Sequence, residues 1–295
     1  MPVSSPAFTL LTDRALIRLS GSDTHHFLQN LVTADMEAVD RTGAGSAALL
    51  TPQGKIQFDF LIYKAADAYL LDVPAAAAAD LLKRLTFYRL RAKVELEPLS
   101  AETGVFALGE GGSEMPDALL TVTDPRLPAL GRRSVAAASA DLPAAQEGLA
   151  AYDAHRISLG VPEGLKDYAY SDIFPHDADL DQLNGVSFRK GCFVGQEVVS
   201  RVQHRGTARK RFLPVESDGA LPPMGASVTA GGKSVGTLGS SAKVEGKTIA
   251  LALLRLDKVA QAKENDIPLQ CGDAVLQASL PDWATFDWPE PTTAD

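Results

Sequence analysis

Apolar and polar residues alternate from Ala7 to Leu19 through a run of β-formers, and Gly21-Ser22-Asp23 then introduces Phe27, Leu28, Leu31 and Val32 at helical spacing. A strand followed by a capped helix is predicted. Ser46 to Thr51 and Lys55 to Tyr63 flank the turn residues Pro52-Gln53-Gly54, the pattern of a hairpin. Tyr69 to Val73 predicts a short strand, Ala75 to Leu90 a helix begun after Pro74, and Ala92 to Leu99 a further strand. From Gly109 to about Leu149 the breakers Gly111-Gly112, Pro116, Pro125, Pro128 and Pro143 predict a loop-rich stretch, with Ala136 to Ala151 a linker and helix start. Ala151 to Gly160 predicts a helix ended by Gly160, and Val161-Pro162-Glu163-Gly164 an extended loop. Beyond Arg211, β-prone pieces alternate with Pro222-Pro223, Gly231-Gly232 and Gly246-Lys247, the spacing of a small all-β barrel or sandwich over about 210–280. The tail PDWATFDWPEPTTAD reads as frayed, with docking of Trp283 or Trp288 as the alternative. The whole is an α+β chain with antiparallel pairing.

Charge and cysteine content narrow the chemistry. The 295 residues are 45% hydrophobic and 22% charged with a formal net charge of -9, and the sequence pI is near 5.1. A general polyanion binder carries a basic surface that releases counterions from phosphates, so nucleic acid is not the expected partner. The two cysteines, Cys192 and Cys271, lie outside any CxxC or Cys/His spacing, which excludes a disulfide framework and a self-contained zinc site. The N-terminus reaches Asp13 and Arg14 too early for a secretory signal, and no apolar run approaches the roughly 20 residues of a membrane span. A reducing, cytoplasmic setting without membrane contact is expected.

The densest chemistry lies in Asn184 to Arg211, NGVSFRKGCFVGQEVVSRVQHRGTARKR. Val186 to Phe188 predicts the end of a strand and Gln196 to Val202 a helix, with Gly191 and Gly195 allowing tight backbone between them. Cys192 is thereby expected just before a helix N-terminus, where the helix dipole and the cations Arg189 and Lys190 favour a thiolate. A lone cysteine is otherwise a small buried hydrophobe. Arg189 to Arg211 holds seven Arg or Lys residues against one acid, Glu197. Such a patch suits an anionic cofactor or an acidic partner protein, or is simply a solvated face.

The run Lys190-Gly191-Cys192-Phe193-Val194-Gly195-Gln196-Glu197, followed by Arg201, resembles the signature of YgfZ-type folate-binding proteins. These belong to the glycine cleavage T-protein (aminomethyltransferase) superfamily and include mitochondrial relatives that assist iron–sulfur cluster assembly. Asn184 to Phe188, Gly160 to Gly164, Arg205-Gly206, Phe87 to Arg91 and Asn30 to Thr33 extend the similarity over most of the chain. The resemblance implies two interwoven α+β units and a C-terminal β-barrel. Residues 1–45 and 145–209 would form a folate-binding unit carrying the motif, 46–144 an inserted ferredoxin-like unit, 210–280 the barrel and 281–295 a tail.

The implied function is that of a tetrahydrofolate-binding accessory factor for assembly or repair of [4Fe-4S] proteins, radical-SAM tRNA-modifying enzymes among them. Its implied partners are an A-type iron–sulfur carrier or a client enzyme, with a transient cluster shared through Cys192. Cys192, Lys190 and Asp59 are the candidates for chemistry, and Asp177, Tyr88, Phe193, Gln196, Glu197 and Arg201 for holding the cofactor. A carboxylate suits a pterin because its two oxygens accept adjacent N–H donors together. Asp177 stands where relatives carry a glutamate, one methylene longer, a difference on the order of 1.5 Å. Phe58-Asp59 stands where the T-protein has two aspartates, so the alternative function, a one-carbon transferase with Asp59 as base, keeps one carboxylate. A third reading is an adaptor whose basic 201–211 surface, with Arg205, Arg209 and Arg211, binds an acidic carrier.

Overall fold

The computed structural model describes residues 3, 5–109, 115, 117–140, 148–206 and 208–289. Strands β1 (Phe8–Leu10) and β2 (Arg14–Ser20) lead into helices α1 (Thr24–Leu31) and α2 (Met36–Thr42). A meander of β3 (Ala44–Leu50), β4 (Ile56–Lys64) and β5 (Ala68–Pro74) precedes α3 (Ala75–Arg89), β6 (Glu95–Pro98), β7 (Thr103–Leu108), β8 (Leu120–Thr123) and β9 (Arg132–Ala137). Helices α4 (Leu149–Ser158) and α5 (Gln196–Arg205) bracket a long ordered loop. The C-terminal part holds β10 (Lys210–Ser217), β11 (Ser227–Ala230), β12 (Lys233–Val244), β13 (Lys247–Arg255), α6 (Leu256–Glu264), β14 (Leu269–Cys271) and β15 (Ala274–Ala278).

Three sheets result: a five-stranded one in the order β3-β4-β5-β2-β6, a four-stranded one in the order β1-β7-β9-β8, and a closed barrel β10-β13-β12-β11-β14-β15. Every strand pairing is antiparallel. Strand β5 is buried along its length because both faces of its sheet are covered. Phe27, Leu28 and Leu31 of α1 and Leu81 and Leu85 of α3 close one face, while Tyr63, Leu70, Val105 and Tyr152 fill the layer between the two sheets. No helix among the described residues is long and apolar enough to cross a membrane.

Several expectations are corrected. The stretch from Ala7 to Leu19 is two strands in different sheets, β1 on β7 and β2 on β5, because the chain crosses at Thr12-Asp13 without a Gly or Pro to announce it. Strand β3 spans residue 45, so a cut there divides chain segments and not sheets. The 109–149 stretch contains β8 and β9, short strands whose signal is broken by Pro125 and Pro128; Gly111-Gly112, Pro116 and Pro143 lie outside the described residues. Val186 to Phe188 forms no strand, although the Ser187 N–H donates to the Thr33 carbonyl at 2.9 Å. The tail is docked as far as it is described. Trp283 Nε1 donates to the Leu159 carbonyl at 2.7 Å, and Lys263 Nζ sits 3.7 Å from the Trp288 ring centroid.

A buried network of charges joins the four-stranded sheet, α4 and the barrel. Arg126 bridges Asp124 and Glu163, each at 2.8 Å, Arg133 Nε meets Asp124 at 3.0 Å, and Tyr152 donates to Glu163 at 2.9 Å. From α4, Arg156 pairs with Asp167 at 2.7 Å, and Asp167 accepts the Ser240 hydroxyl of the barrel at 2.6 Å. Burial disfavours the charged form of Asp124, yet Arg126 and Arg133 outweigh it and bring the carboxyl down to about 2. Glu163 is held well below the carboxylate range in the same way, by Lys166, Arg126 and Arg156 against burial.

A folded value of about 2 for Asp124 against roughly 3.9 unfolded means that its contribution is complete above the unfolded value. It is lost as pH falls through the folded one and amounts to about 2 kcal/mol. Urea midpoints are therefore expected to drop between about pH 5 and pH 2. Asp124→Asn should flatten that dependence while destabilising the chain by roughly 3 kcal/mol, since it leaves Arg126 and Arg133 to share the single carboxylate of Glu163 in the interior.

Candidate functional site

The Cys192 loop is built from contacts on either side of the thiol. Before it, Lys190 is buried, and its Nζ donates to the carbonyls of Val32 and Ala34 at 2.7 and 2.6 Å, just past the end of α1. Burial pulls this ammonium down to about 8, against the nearby Asp35 carboxylate. After it, Phe193 enters the apolar cluster of Leu50, Ile56, Val199 and the barrel residues Phe212 and Leu253. The Gln196 side chain closes the turn by accepting the Phe193 N–H at 3.3 Å. Between these anchors Gly191 and Cys192 are exposed, as is Arg189 before them, and a Cβ placed on Gly191 would meet open space.

Gly195, with φ +79°, lies against the β3–β4 turn so closely that a Cβ there would come within 2.6 Å of the Thr51 carbonyl oxygen. Gly54 of that turn, φ +81°, is equally constrained, by the Val198 side chain at 3.0 Å and the Gly195 carbonyl at 3.2 Å. Two glycines thus let a hairpin tip support the start of α5. The sequence marked both positions as turns but carried no sign that they meet.

The other predicted residues are not gathered around the thiol. Lys190 is committed to its carbonyls, so it anchors the loop, with its Nζ 5.4 Å from the Phe193 ring centroid. Glu197 and Arg201 pair with each other at 2.7 Å on the solvent side of α5. Of the basic stretch, Arg211 is buried against Asp179 and Asp181, at 3.2 and 2.5 Å, which removes it from the proposed 201–211 surface. Asp59, on β4, accepts the Tyr170 hydroxyl at 2.7 Å and the Gly164 N–H at 3.3 Å. Burial and this carboxylate together raise the Tyr170 phenol far above its usual range. Asp177 accepts the Phe174 N–H at 3.0 Å, closing its own turn, and burial raises its carboxyl.

Tyr88 stands apart, at the end of α3. It lines a cleft of about 450 Å³ beside α1, and none of the other predicted residues lines that cleft or those of about 1000 and 770 Å³. These three clefts therefore do not bring the residues expected to hold tetrahydrofolate together. Asp59 and Asp177 are occupied by the protein's own donors, and Phe193 and Gln196 serve the loop.

Residues 209–286 match the family described as CAF17, C-terminal beta-barrel domain. The mitochondrial iron–sulfur cluster assembly factor IBA57 of Homo sapiens is 31% identical over 313 residues, which cover 95% of this chain and 84% of the human protein. The chain belongs to the IBA57 family of iron–sulfur cluster assembly factors. Fungal homologues from Mycosarcoma maydis and Neurospora crassa are 34% identical over 73% and 72% of this chain, which spans 58% and 55% of their lengths. The glycine cleavage system aminomethyltransferase T of Bartonella henselae has the same fold, with a TM-score of 0.72 at 16% identity, over 95% of this chain and 87% of that one. The α+β architecture with a closing barrel is thus the T-protein fold. The cytoplasmic expectation is overturned, because these IBA57 relatives are mitochondrial factors.

Gly195→Ala should destabilise the chain by about 1–3 kcal/mol, the range for a residue forced into a disfavoured backbone region. Amide hydrogen exchange over 190–196 is expected to quicken, with the barrel unchanged.

Proposed function

We propose that this chain assists iron–sulfur cluster assembly by offering Cys192 as one thiolate ligand to a cluster held jointly with a carrier protein. The observation that carries this reading is an exposed thiol on a loop whose two sides are anchored in the interior. Clusters of this class are held by about four cysteine thiolates. Cys192 is the accessible one here, since Cys271 is sealed inside the barrel, and no group of three His, Cys, Asp or Glu side chains among the described residues is placed to hold a metal. The remaining ligands must come from the partner, for which an A-type carrier has suitable chemistry. The clients would be [4Fe-4S] enzymes, radical-SAM tRNA-modifying enzymes among them. Ligation needs the Cys192 proton to leave, and an exposed sulfur can release it to solvent.

Neither folate nor one-carbon transfer enters this proposal. Phe58, in the place of one carboxylate of the T-protein, is a core residue, and Asp59 is already engaged by Tyr170 and Gly164. Cys192→Ser is expected to shift the urea midpoint by less than about 0.5 kcal/mol equivalent, as befits an exposed position. In cells lacking the protein the same variant should fail to restore [4Fe-4S] enzyme activity, and full rescue would sink the proposal. Asp59→Asn and Asp177→Ala should restore that activity, and their failure while still folded would return folate chemistry to the function.

A further inference from the structure

We propose that the C-terminal end of α3, with the outer side of α1, is the docking surface for an acidic protein, the one with which Cys192 shares its cluster. The proposal rests on the reading of Cys192 given above. Residues 83–93 contain five cations, Lys83, Arg84, Arg89, Arg91 and Lys93, and no acid, within a chain whose formal net charge is -9. Lys83, Arg84 and Arg91 are exposed and have no ion-pair partner among the described residues. Of the acids around it, Asp23 has one oxygen taken by the Lys93 N–H at 2.8 Å and the other by Ser22 at 3.1 Å, and Asp80 and Glu95 flank the run in sequence, three acids against five cations. The patch therefore shows a net positive field to any approaching surface, and attracts an acidic one within a range of about 10 Å at moderate salt.

Two large apolar side chains stand in the middle of this charge. Phe87 is 69% exposed and Leu90 85% exposed. Leu90 also has φ +46° and ψ -106°, in the turn closed by the Ala92 N–H donating to the Arg89 carbonyl at 2.8 Å. That is the first central position of a type II′ turn, where glycine is preferred. A leucine there is strained, and burial does not compensate it. Within the chain alone this side chain lowers no energy, as expected of a group that is covered only in a complex.

Leu90 is on the rim of the 450 Å³ cleft, which His26, Asn30 and Tyr88 also line, and Phe87 stands next to it. A knob next to a recess suits the relief of a protein surface, whereas a lipid surface would leave the recess unfilled. Helix α1 links this patch to the cysteine loop: Asn30 lines the recess, and two residues on, the Val32 carbonyl holds Lys190. A partner seated on the patch would thus have Cys192 within reach of its own cluster ligands.

The test uses the full-length chain and a purified A-type carrier in its apo form, with affinity measured by calorimetry at low and moderate salt. Arg84→Glu with Arg91→Glu should weaken binding by roughly tenfold or more and reduce its salt dependence. Leu90→Gly should weaken binding as well while leaving the thermal midpoint at or above that of the unaltered chain, which separates docking from folding. Cys192→Ser should still bind the apo carrier but fail to retain a shared cluster. Charge-reversal and Leu90→Gly variants that bind within about twofold of the unaltered chain would overturn the docking surface and leave the cysteine reading intact. Cluster retention by Cys192→Ser, with docking lost in the patch variants, would overturn the cysteine reading instead. Binding of the patch to vesicles of phosphatidylcholine and phosphatidylglycerol, with no effect of its variants on carrier affinity, would replace the protein partner by a membrane and overturn the proposal.

Discussion

Glu163 has no path to solvent, and the chain surrounds it with cations drawn from different parts of the fold. Arg126 comes from the segment between β8 and β9, Arg156 from α4, and Lys166 from the loop that carries Glu163 itself. Through Asp167 and Ser240 the same network reaches the barrel. Buried charges tolerate little displacement, because any partner that withdraws leaves an uncompensated ion behind. The relative placement of the four-stranded sheet, α4 and the barrel is therefore fixed electrostatically at one point. The apolar cluster beneath the Cys192 loop, which draws on β3, β4, α5 and the barrel, can then pack in a single way.

On that base the cysteine motif divides its labour. Lys190, Phe193, Gly195 and Gln196 all face inward or close the turn, so most of a motif that reads as chemistry is structural support. What remains for chemistry is an exposed thiol, with no hydrogen-bond or ion-pair partner among the described residues. A general base and an oxyanion site would mark a hydrolase or transferase. A lone, fixed sulfur suits shared coordination, in which the geometry is completed by another protein.

Much of this was legible in the residues. The hairpin around Gly54, the helix over α3, the helix after Gly195 and the barrel past Arg211 followed from spacing and turn residues, and so did the interest of Cys192. What periodicity could not reveal was association at long range. The alternation from Ala7 to Leu19 is the same whether one sheet receives it or two. Lys190 reads as a surface cation until the carbonyls past α1 are brought to it from more than 150 positions away in the chain. The α2 helix was missed although Asp35 caps it and Gly43 ends it with φ +84°, because seven residues leave too short a periodic signal. The tail was misread for a related reason. Its polar and proline content hid two aromatic contacts that depend on Leu159 and Lys263.

Those contacts give the molecule a built-in optical label. Both tryptophans, Trp283 and Trp288, lie in the segment after β15, one hydrogen-bonded to Leu159 and the other beneath Lys263. Tryptophan emission therefore reports the seating of this strap on α4 and α6, and is blind to events confined to the cysteine loop. A change in emission on adding a partner would mean that the partner touches or disturbs this strap.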